Sequence, residues 1–307
     1  MRGVARLSFI DDGFLLLDDF MARDYSRLEK KIRAEQDQMA CSVQNDSTLA
    51  GCCVYPNIPL TELFGDPFFV VRFRFANIDT MHDPKQEQML IELIQKLKQY
   101  MSDHRGYYNL RIPAHIVDAI KAYNHELQDS FFCGGTVEEF IAGKKVSYTP
   151  KEGVSVKWAD RKYAERNKER LSQITFESFS SYQGQYHISP VTQDKAGLIY
   201  ENWIRQSLDQ CNDDNIIVAE IDGQPVGYLT TAERENAMEV VLSAVGKDYR
   251  EKGAYRAMIS ELVNHAMDKG KAFIISTQFD NFIVQGVWNS IGLKPYYSIY
   301  NIHIDKR

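Results

Sequence analysis

The chain has 307 residues, a net charge of −6 and a pI of about 5.7. Its length predicts roughly two domains, and its content of 44% apolar and 25% charged residues is typical of a folded soluble protein. The acidic balance disfavours a dedicated nucleic-acid-binding protein.

The number and spacing of the cysteines indicate whether the chain binds a metal and which cellular compartment suits it. The cysteines are Cys41, Cys52, Cys53, Cys133 and Cys211. No CxxC pair or His/Cys spacing indicates zinc, so we expect no metal site, and adjacent Cys52 and Cys53 are expected to be small buried residues. A reducing cytoplasm is the simplest location. The apolar stretch 14–20 is too short and acidic for a signal peptide, and no run reaches the ~18 apolar residues of a membrane span.

In the N-terminal half, apolar alternation and helical spacing predict the order strand, helix, strand, helix, strand. The predicted ranges are 68–78, 84–101, 107–113, 115–127 and 130–141. The polar stretch 142–153 predicts a boundary near residue 150, which divides the chain into domains 1–150 and 151–307.

The C-terminal half shows a longer series of elements. The predicted strands are 154–158, 215–221, 226–233, 238–245, 272–278 and 296–304. The predicted helices are 160–179, 189–208, 254–270 and 280–292, with a loop at 180–189. The order over 238–304 echoes that of the N-terminal half and suggests an internal repeat. The N-terminal copy carries no arginine or glycine at 79–83, where the C-terminal copy has a basic turn.

That basic turn joins the strand 238–245 to the next helix. Arg250, Lys252 and Gly253 precede the helix, whose unpaired N-terminal amides and dipole favour an anion. We therefore predict a polyphosphate site, the alternative being an ordinary helix start with a solvated basic face. A Cβ at residue 253 is expected to obstruct close approach of a ligand to the backbone.

Two landmarks carry a family resemblance. Val245 ends the apolar strand, and residues 250–255 (REKGAY) follow it. Asn281 is followed at fixed spacing by Trp288 and by residues 292–293 (GL). With the order β–α–α–β–β–β–α–β–α–β over 154–304, this half of the chain resembles the GNAT superfamily of acyl-CoA-dependent N-acyltransferases.

The resemblance implies a mixed α/β (α+β) fold, in which a central mixed sheet is flanked by helices. It also implies that domain 1–150 is a truncated GNAT-like domain without a phosphate loop, for which we expect no cofactor binding. The family signature is [RQ]-x-x-G-x-[GA], and Tyr255 departs from its last position. The run STQ-x-x-N at 276–281, followed by a helix that ends in Trp288-x-x-x-Gly292, also looks similar to the amino-sugar branch of the family, which includes TDP-fucosamine acetyltransferases.

The implied co-substrate is acetyl-CoA. The resemblance assigns its diphosphate to the turn, its pantetheine arm to the edge of a splayed strand, and the far end of that arm to Asn281. The implied binding residues are Leu242, Ser243, Ala244, Val245, Arg250, Glu251, Lys252, Gly253, Ala254, Tyr255, Asn281 and Trp288. Taken alone, Asn281 fits a helix N-cap equally well.

A base is needed because an ammonium ion has no lone pair to attack a thioester. Glu239 is the first candidate and His187, in the loop 180–189, is the second. Strand alternation predicts Glu239, Val241 and Ser243 on one face. The alternatives are a solvated carboxylate for Glu239 and a surface position for His187.

The leaving thiolate needs stabilisation, and many relatives use a tyrosine at the position of Trp288. An indole N–H is no general acid near neutral pH, so core packing is the favoured reading of Trp288. Tyr296, Tyr297 or Tyr255 could replace the tyrosine, or the thiolate leaves unaided.

Three functions follow from these features. The first is transfer of an acetyl or short acyl group from acyl-CoA to the amine of a small molecule, with a nucleotide-linked amino sugar as one candidate acceptor. The second is a non-catalytic CoA-binding sensor or scaffold. The third, acylation of protein lysines, finds least support in an acidic chain. Neither nucleic acid nor membrane is an expected partner, and the sequence does not indicate an oligomeric state.

Overall fold

The computed structural model describes residues 6–10, 26–45, 47–79, 84–113, 131–180, 182, 184–234 and 236–307. The chain divides into two compact units. The first contains Met1–Thr136 and Ser298–Arg307, and the second contains Val137–Tyr297. The division falls before residue 137, whereas the sequence indicates a boundary near 150, and the last ten residues belong with the N-terminal unit.

The first unit is built on the strands β1 (Arg6–Ile10), β2 (Cys41–Gln44), β3 (Leu49–Pro56), β4 (Phe68–Asp79) and β5 (Tyr107–Pro113). Its helices are α1 (Ser26–Ala34), α2 (Ile58–Phe64) and α3 (Pro84–Asp103). The strand order is β2-β3-β4-β5-β12, with β1 paired to β4. The helix predicted over 115–127 lies outside the described residues.

The last strand, β12 (Lys294–Asp305), explains why the C-terminus belongs to the first unit. Its residues from Ile299 to Asp305 pair antiparallel with β5. Ile302 and Ile304 are buried in the same core as Leu110 and Ile112. Burial of these isoleucines against α3 therefore fixes the strand there. Cys52 and Cys53 are buried in β3, as expected for small core residues.

The second unit starts with β6 (Phe131–Ala142), whose residues 137–142 lie in this unit. It continues with β7 (Val154–Trp158), α4 (Arg161–Phe179), α5 (Gln185–Ile188), α6 (Ala196–Asp209), β8 (Ile216–Ile221), β9 (Gln224–Glu233), β10 (Ala237–Val245), α7 (Ala254–Asp268), β11 (Ala272–Gln278) and α8 (Phe282–Ser290). The strand order is β6-β11-β10-β9-β8-β7. Only the β10–β11 pair among them is parallel in the described sheet.

The predicted elements of this unit are confirmed with two differences: the predicted loop 180–189 contains the short helix α5, and one boundary is shifted. The helix predicted from residue 189 begins at Ala196. Pro190 has no N–H, and Ser189 accepts main-chain bonds from Thr192 and Gln193 in a turn that precedes the helix. The helical spacing after the basic turn predicts one apolar face made of Met258, Ile259, Leu262, Val263, Ala266 and Met267. The first five are buried in the core where α7 packs on the sheet, and Met267 is partly buried against it.

The two units share one local arrangement. In the first, β4, α3 and β5 form a parallel β-α-β unit; in the second, β10, α7 and β11 do the same. This common order supports the predicted structural repeat. None of the helices in the described parts of the chain is long and apolar enough to cross a membrane.

Candidate functional site

The parallel strands β10 and β11 separate soon after they begin. They pair only from Ala237↔Ala272 to Glu239↔Ile274. β11 then continues along β6 as far as Gln278, and β10 stays with β9. The edge of β10 that faces β11 over residues 240–245 is therefore unpaired within the described sheet. An amide-containing ligand can bind such an edge as an additional strand.

A β-bulge at Val241 lies at the start of this unpaired edge. Val240 is opposite Thr231 and Leu242 is opposite Thr230, so Val241 has no partner of its own in β9. A bulge of this kind inserts one residue and redirects the side chains that follow it.

The bulge reverses the alternation of β10. Val240, before it, and Val245, after it, both pack into the core under α7. The side chain of Ser243 also reaches that helix, where it hydrogen-bonds with Tyr255. Ser243 therefore shares a face with Val240, and its predicted place beside Glu239 is corrected.

The turn after β10 presents a row of main-chain amides. Glu251 has φ 65° and Gly253 has φ 92°, so two residues of the turn are left-handed. Gly253 is the N-cap of α7 and contributes no side-chain cap. In the described structure, the amides of residues 251–255 have no hydrogen-bond acceptor. Left-handed residues beside a helix start form a concavity of amides that suits an anion.

Cationic side chains surround these amides. Lys247, Arg250 and Lys252 are exposed around the turn. The Lys252 ammonium lies 5.0 Å from the centre of the Tyr249 ring, an arrangement that holds its flexible chain near the turn. Together with the amides, these charges make the turn a chemically suitable phosphate site.

The backbone conformation of Gly253 favours glycine. Its φ of 92° belongs to the left-handed region, which glycine enters without the penalty of a Cβ. A Cβ there would also lie 3.2 Å from the Lys151 side chain and 3.3 Å from the Tyr148 hydroxyl. The space beside Gly253 is thus occupied by the chain itself.

Asn281 occupies the N-cap position of α8 without capping it. Its side chain makes no cap hydrogen bond. The amide nitrogen instead donates to Thr277 Oγ1 over 2.9 Å, at the splayed end of β11. The hydroxyl of Tyr182 also hydrogen-bonds with the side chains of Thr277 and Asn281, and burial raises the pKa of Tyr182. The helix-cap reading therefore does not account for this asparagine.

Trp288 is buried in the core and joins it to Tyr255. Its side chain is 1% exposed and its ring lies 5.2 Å from that of Phe140. The indole Nε1 donates to the hydroxyl of Tyr255 over 3.2 Å. Burial raises the pKa of Tyr255 to about 12. This hydroxyl therefore stays protonated near neutral pH and can donate a hydrogen bond.

The first candidate base, Glu239, is in an ion pair. Arg234 contacts Glu239 Oε2 through Nε at 3.0 Å and Nη2 at 2.9 Å. Both contacts are made to the same carboxylate oxygen, Oε2, so the other oxygen, Oε1, is not bound by Arg234. Glu239 is partly exposed on β10, beside the splay.

The second candidate, His187, is in α5 and has one buried nitrogen. Its ring bonds to the carbonyl of Phe179, and its Nδ1 has no hydrogen-bond partner among the described residues. Burial lowers the pKa of His187, so the imidazole is neutral near pH 7. The ring is nearly parallel to that of Tyr200 at 6.3 Å. A fixed neutral imidazole with a lone pair is suited to accept a proton.

Comparison with known families matches the central part of the chain. Residues 173–293 match the family model described as Acetyltransferase (GNAT) family. These residues form a GNAT-family domain. No curated protein sequence matches the chain.

Solved structures share the fold of the GNAT domain and of most of the chain at low sequence identity. A GCN5-related N-acetyltransferase from Sphaerobacter thermophilus is 11% identical, with a TM-score of 0.53 over 91% of this chain and 85% of that one. One from Kribbella flavida is 10% identical, with a TM-score of 0.52 over 91% and 94%. A tandem GNAT protein from the clavulanic acid biosynthesis pathway is 9% identical, with a TM-score of 0.50 over 87% and 82%.

Several residues near the GNAT-domain site have no sequence signal that predicts their position there. Tyr182 and Arg234 reach it from a loop and a strand end, where no periodicity marks them. Lys151 and Tyr148 precede the domain in the polar stretch 142–153. Tyr296 is partly buried near the start of β12, while the hydroxyl that meets Trp288 belongs to Tyr255. No group of His, Cys, Asp and Glu suited to a metal ion occurs in the described residues.

Proposed function

We propose that the protein is an N-acyltransferase that moves an acetyl or short acyl group from acyl-CoA to the amine of a small molecule. The observation that carries this proposal is the row of amides at residues 251–255, which lack an acceptor and lie at the end of a splayed strand. A diphosphate satisfies such amides, and an amide-rich arm satisfies the strand edge. These groups fit coenzyme A, and the GNAT-family match supports the same ligand.

The chain supplies binding groups for each part of that ligand. Arg250, Lys252 and the turn amides hold the diphosphate. The main chain of residues 242–245 and the amide of Asn281 hold the pantetheine arm. When bound, an acyl-CoA supplies an activated acyl group. Main-chain N–H groups on the unpaired edge of β10 are available to stabilise a carbonyl oxygen that gains negative charge.

Proton transfer is assigned to His187 and Glu239. His187 is the first candidate for the group that accepts the proton from the acceptor amine, because its imidazole is neutral near pH 7 and its ring is held by the carbonyl of Phe179. Glu239 Oε1 is the second acceptor, with Arg234 retaining the opposite oxygen. The hydroxyl of Tyr255 donates a hydrogen bond and keeps its proton, since its pKa is about 12.

The acceptor is proposed to be a small amine, with a nucleotide-linked amino sugar as the first candidate. Its support is the similarity of residues 276–288 to the amino-sugar branch of the family. The decisive experiment incubates purified protein with acetyl-CoA and a panel of amines, which includes nucleotide-linked amino sugars, free amino sugars, polyamines and a lysine peptide. Release of CoA thiol with an amine supports the proposal, and the best acceptor identifies the class.

A second candidate function is a non-catalytic CoA-binding module. The observations that favour it are the ion pair of Glu239 with Arg234 and the buried indole at residue 288. This candidate predicts CoA binding by calorimetry together with no thiol release for any acceptor. Absence of CoA binding would remove both candidates.

A further inference from the structure

A segment of the chain that precedes the GNAT-family region lies along α7. This segment, residues 145–151, is called the strap. At the C-terminal end of the helix, Lys145 forms an ion pair with Asp268. The main chain of Val146 exchanges two hydrogen bonds with the Asn264 side chain, at 2.8 Å and 3.0 Å. These contacts bring the strap toward the start of α7.

At that start, the strap holds two carbonyls of the turn. The Tyr148 hydroxyl donates to the carbonyl of Gly253 over 3.3 Å, and Lys151 Nζ donates to the carbonyl of Glu251 over 3.2 Å. Glu251 and Gly253 are the two left-handed residues of the turn. The strap therefore donates to the carbonyls of the two residues whose conformation makes the turn concave: Lys151 donates to that of Glu251, and Tyr148 adds a second bond to that of Gly253, which also accepts from the Ala257 N–H over 3.0 Å.

The direction of each carbonyl decides the direction of an amide. In a planar trans peptide, the C=O of one residue points opposite to the N–H of the next. Holding the carbonyl of Glu251 on the strap side turns the amide of Lys252 away from the strap. The carbonyl of Gly253, held by both the Ala257 N–H and the Tyr148 hydroxyl, orients the amide of Ala254 in the same way. Two of the five amides that lack an acceptor are oriented in this way.

Packing closes the strap side of the turn. A Cβ added at Gly253 would lie 3.2 Å from Lys151 Cγ and Cδ. The guanidinium of Arg256, in the first turn of α7, lies 5.7 Å from the centre of the Tyr148 ring. Side chains of the strap thus fill the space on this side of the turn.

We propose that Tyr148 and Lys151 are positioning residues that pre-organise the turn for the diphosphate of coenzyme A. The proposal rests on the proposed function, since it needs that ligand. These two residues act on the main chain of residues 251–254 and do not contact the phosphate. A turn held in its binding conformation loses less freedom on binding, which increases affinity.

The test measures binding by calorimetry in the full chain. The variants are Tyr148→Phe, Lys151→Met and the double variant. Lys145→Met is the matched control, because it removes a strap lysine at the far end of α7. The ligands are CoA and 3′-dephospho-CoA, which share the diphosphate. Melting temperatures and circular dichroism establish that each variant folds.

We expect the double variant to bind both ligands about tenfold more weakly, a loss of the size that two hydrogen bonds supply. Lys145→Met is expected to match the wild type. If the protein turns over an amine, kcat/KM for S-acetylpantetheine, which lacks the diphosphate, is expected to be unchanged in the double variant.

Each other outcome overturns the strap proposal. Equal affinity of wild type and double variant removes it while the proposed function stands. A loss with CoA but not with 3′-dephospho-CoA means that Lys151 contacts the 3′-phosphate directly. An equal loss in Lys145→Met indicates a general charge effect, and an equal loss with S-acetylpantetheine indicates a structural one. A wild type that does not bind CoA removes the proposed function together with the strap proposal.

Discussion

Trp288 of α8 donates its indole N–H to the hydroxyl of Tyr255 of α7 over 3.2 Å, in the core of the second unit. Both residues depart from the family pattern, which has a tyrosine at the first position and a small residue at the second. The two residues that depart from the pattern are therefore hydrogen-bonded to each other. A phenol is thus present near the unpaired strand edge, although it comes from α7 and not from α8.

The first prediction concerns this bond. Tyr255→Phe leaves the buried indole N–H without its acceptor, so we expect the free energy of unfolding to fall by about 1–2 kcal/mol in urea denaturation. Tyr249→Phe, a neighbouring substitution of the same type, is expected to change it by less than ~0.5 kcal/mol. Equal stability of wild type and Tyr255→Phe would show that the bond has no energetic weight.

The second prediction separates binding from capping at Asn281. Because the Asn281 side chain makes no cap bond but donates to Thr277, Asn281→Ala is expected to cost about 1 kcal/mol of stability, the size of one hydrogen bond, and to weaken CoA binding several-fold. Asp160 is the control, since its side chain accepts from the Tyr163 N–H over 2.6 Å. Asp160→Ala is expected to cost about 1 kcal/mol without changing CoA affinity. An Asn281→Ala variant that loses stability but binds CoA as tightly as the wild type would contradict the binding role of Asn281.

Part of this structure could be predicted from the sequence because it is local. The periodicity of α7 and the alternation of its flanking strands depend on neighbouring residues, and the predicted buried face of α7 is the observed one. The bulge at Val241 depends on the register with β9, which no local pattern shows. Because of this bulge, Ser243 lies on the opposite face of β10 from the one that strand alternation predicts.

Longer-range pairing limits the prediction in the same way. β12 reads as the last strand of the C-terminal half, yet its isoleucines are buried beside β5 in the first unit. The stretch 142–153 reads as a polar boundary because its contacts are made by isolated groups such as Lys151 and Tyr148. Such contacts carry no periodic signal.

The third prediction is a pH profile. An imidazole must be deprotonated to accept a proton, and burial lowers the pKa of His187. We expect kcat/KM to rise with pH and to level off, with an inflection below the ordinary histidine value of about 6.5. His187→Gln is expected to lower kcat at least ~100-fold and to abolish this inflection. An unchanged inflection in His187→Gln, lost instead in Glu239→Gln, would transfer the role to Glu239.

The fourth prediction concerns stability of the first unit. His303 is fully buried beside Tyr107, with 2.6 Å between the tyrosine hydroxyl and Nδ1, and burial lowers the pKa of His303 to about 4. The unfolded chain binds a proton at about pH 6.5 and the folded chain does not until about pH 4, so stability falls as pH falls through this window.

The loss from this one group is expected to reach up to about 3 kcal/mol at pH 4. His303→Asn keeps a hydrogen-bonding side chain beside Tyr107 without titrating in this range. Urea denaturation between pH 7 and pH 4 is therefore expected to give a shallower decline for His303→Asn than for the wild type. Parallel declines for the two proteins would contradict the assignment.

The central claim is that the turn between β10 and α7 binds the diphosphate of coenzyme A, and calorimetric titration of CoA into wild type and Arg250→Glu tests it most directly. Reversing this charge beside the amides is expected to weaken binding at least ~10-fold. Arg161→Glu, at an exposed position of α4, is the control and is expected to bind as the wild type does. Equal affinity of wild type and Arg250→Glu for CoA would contradict the claim.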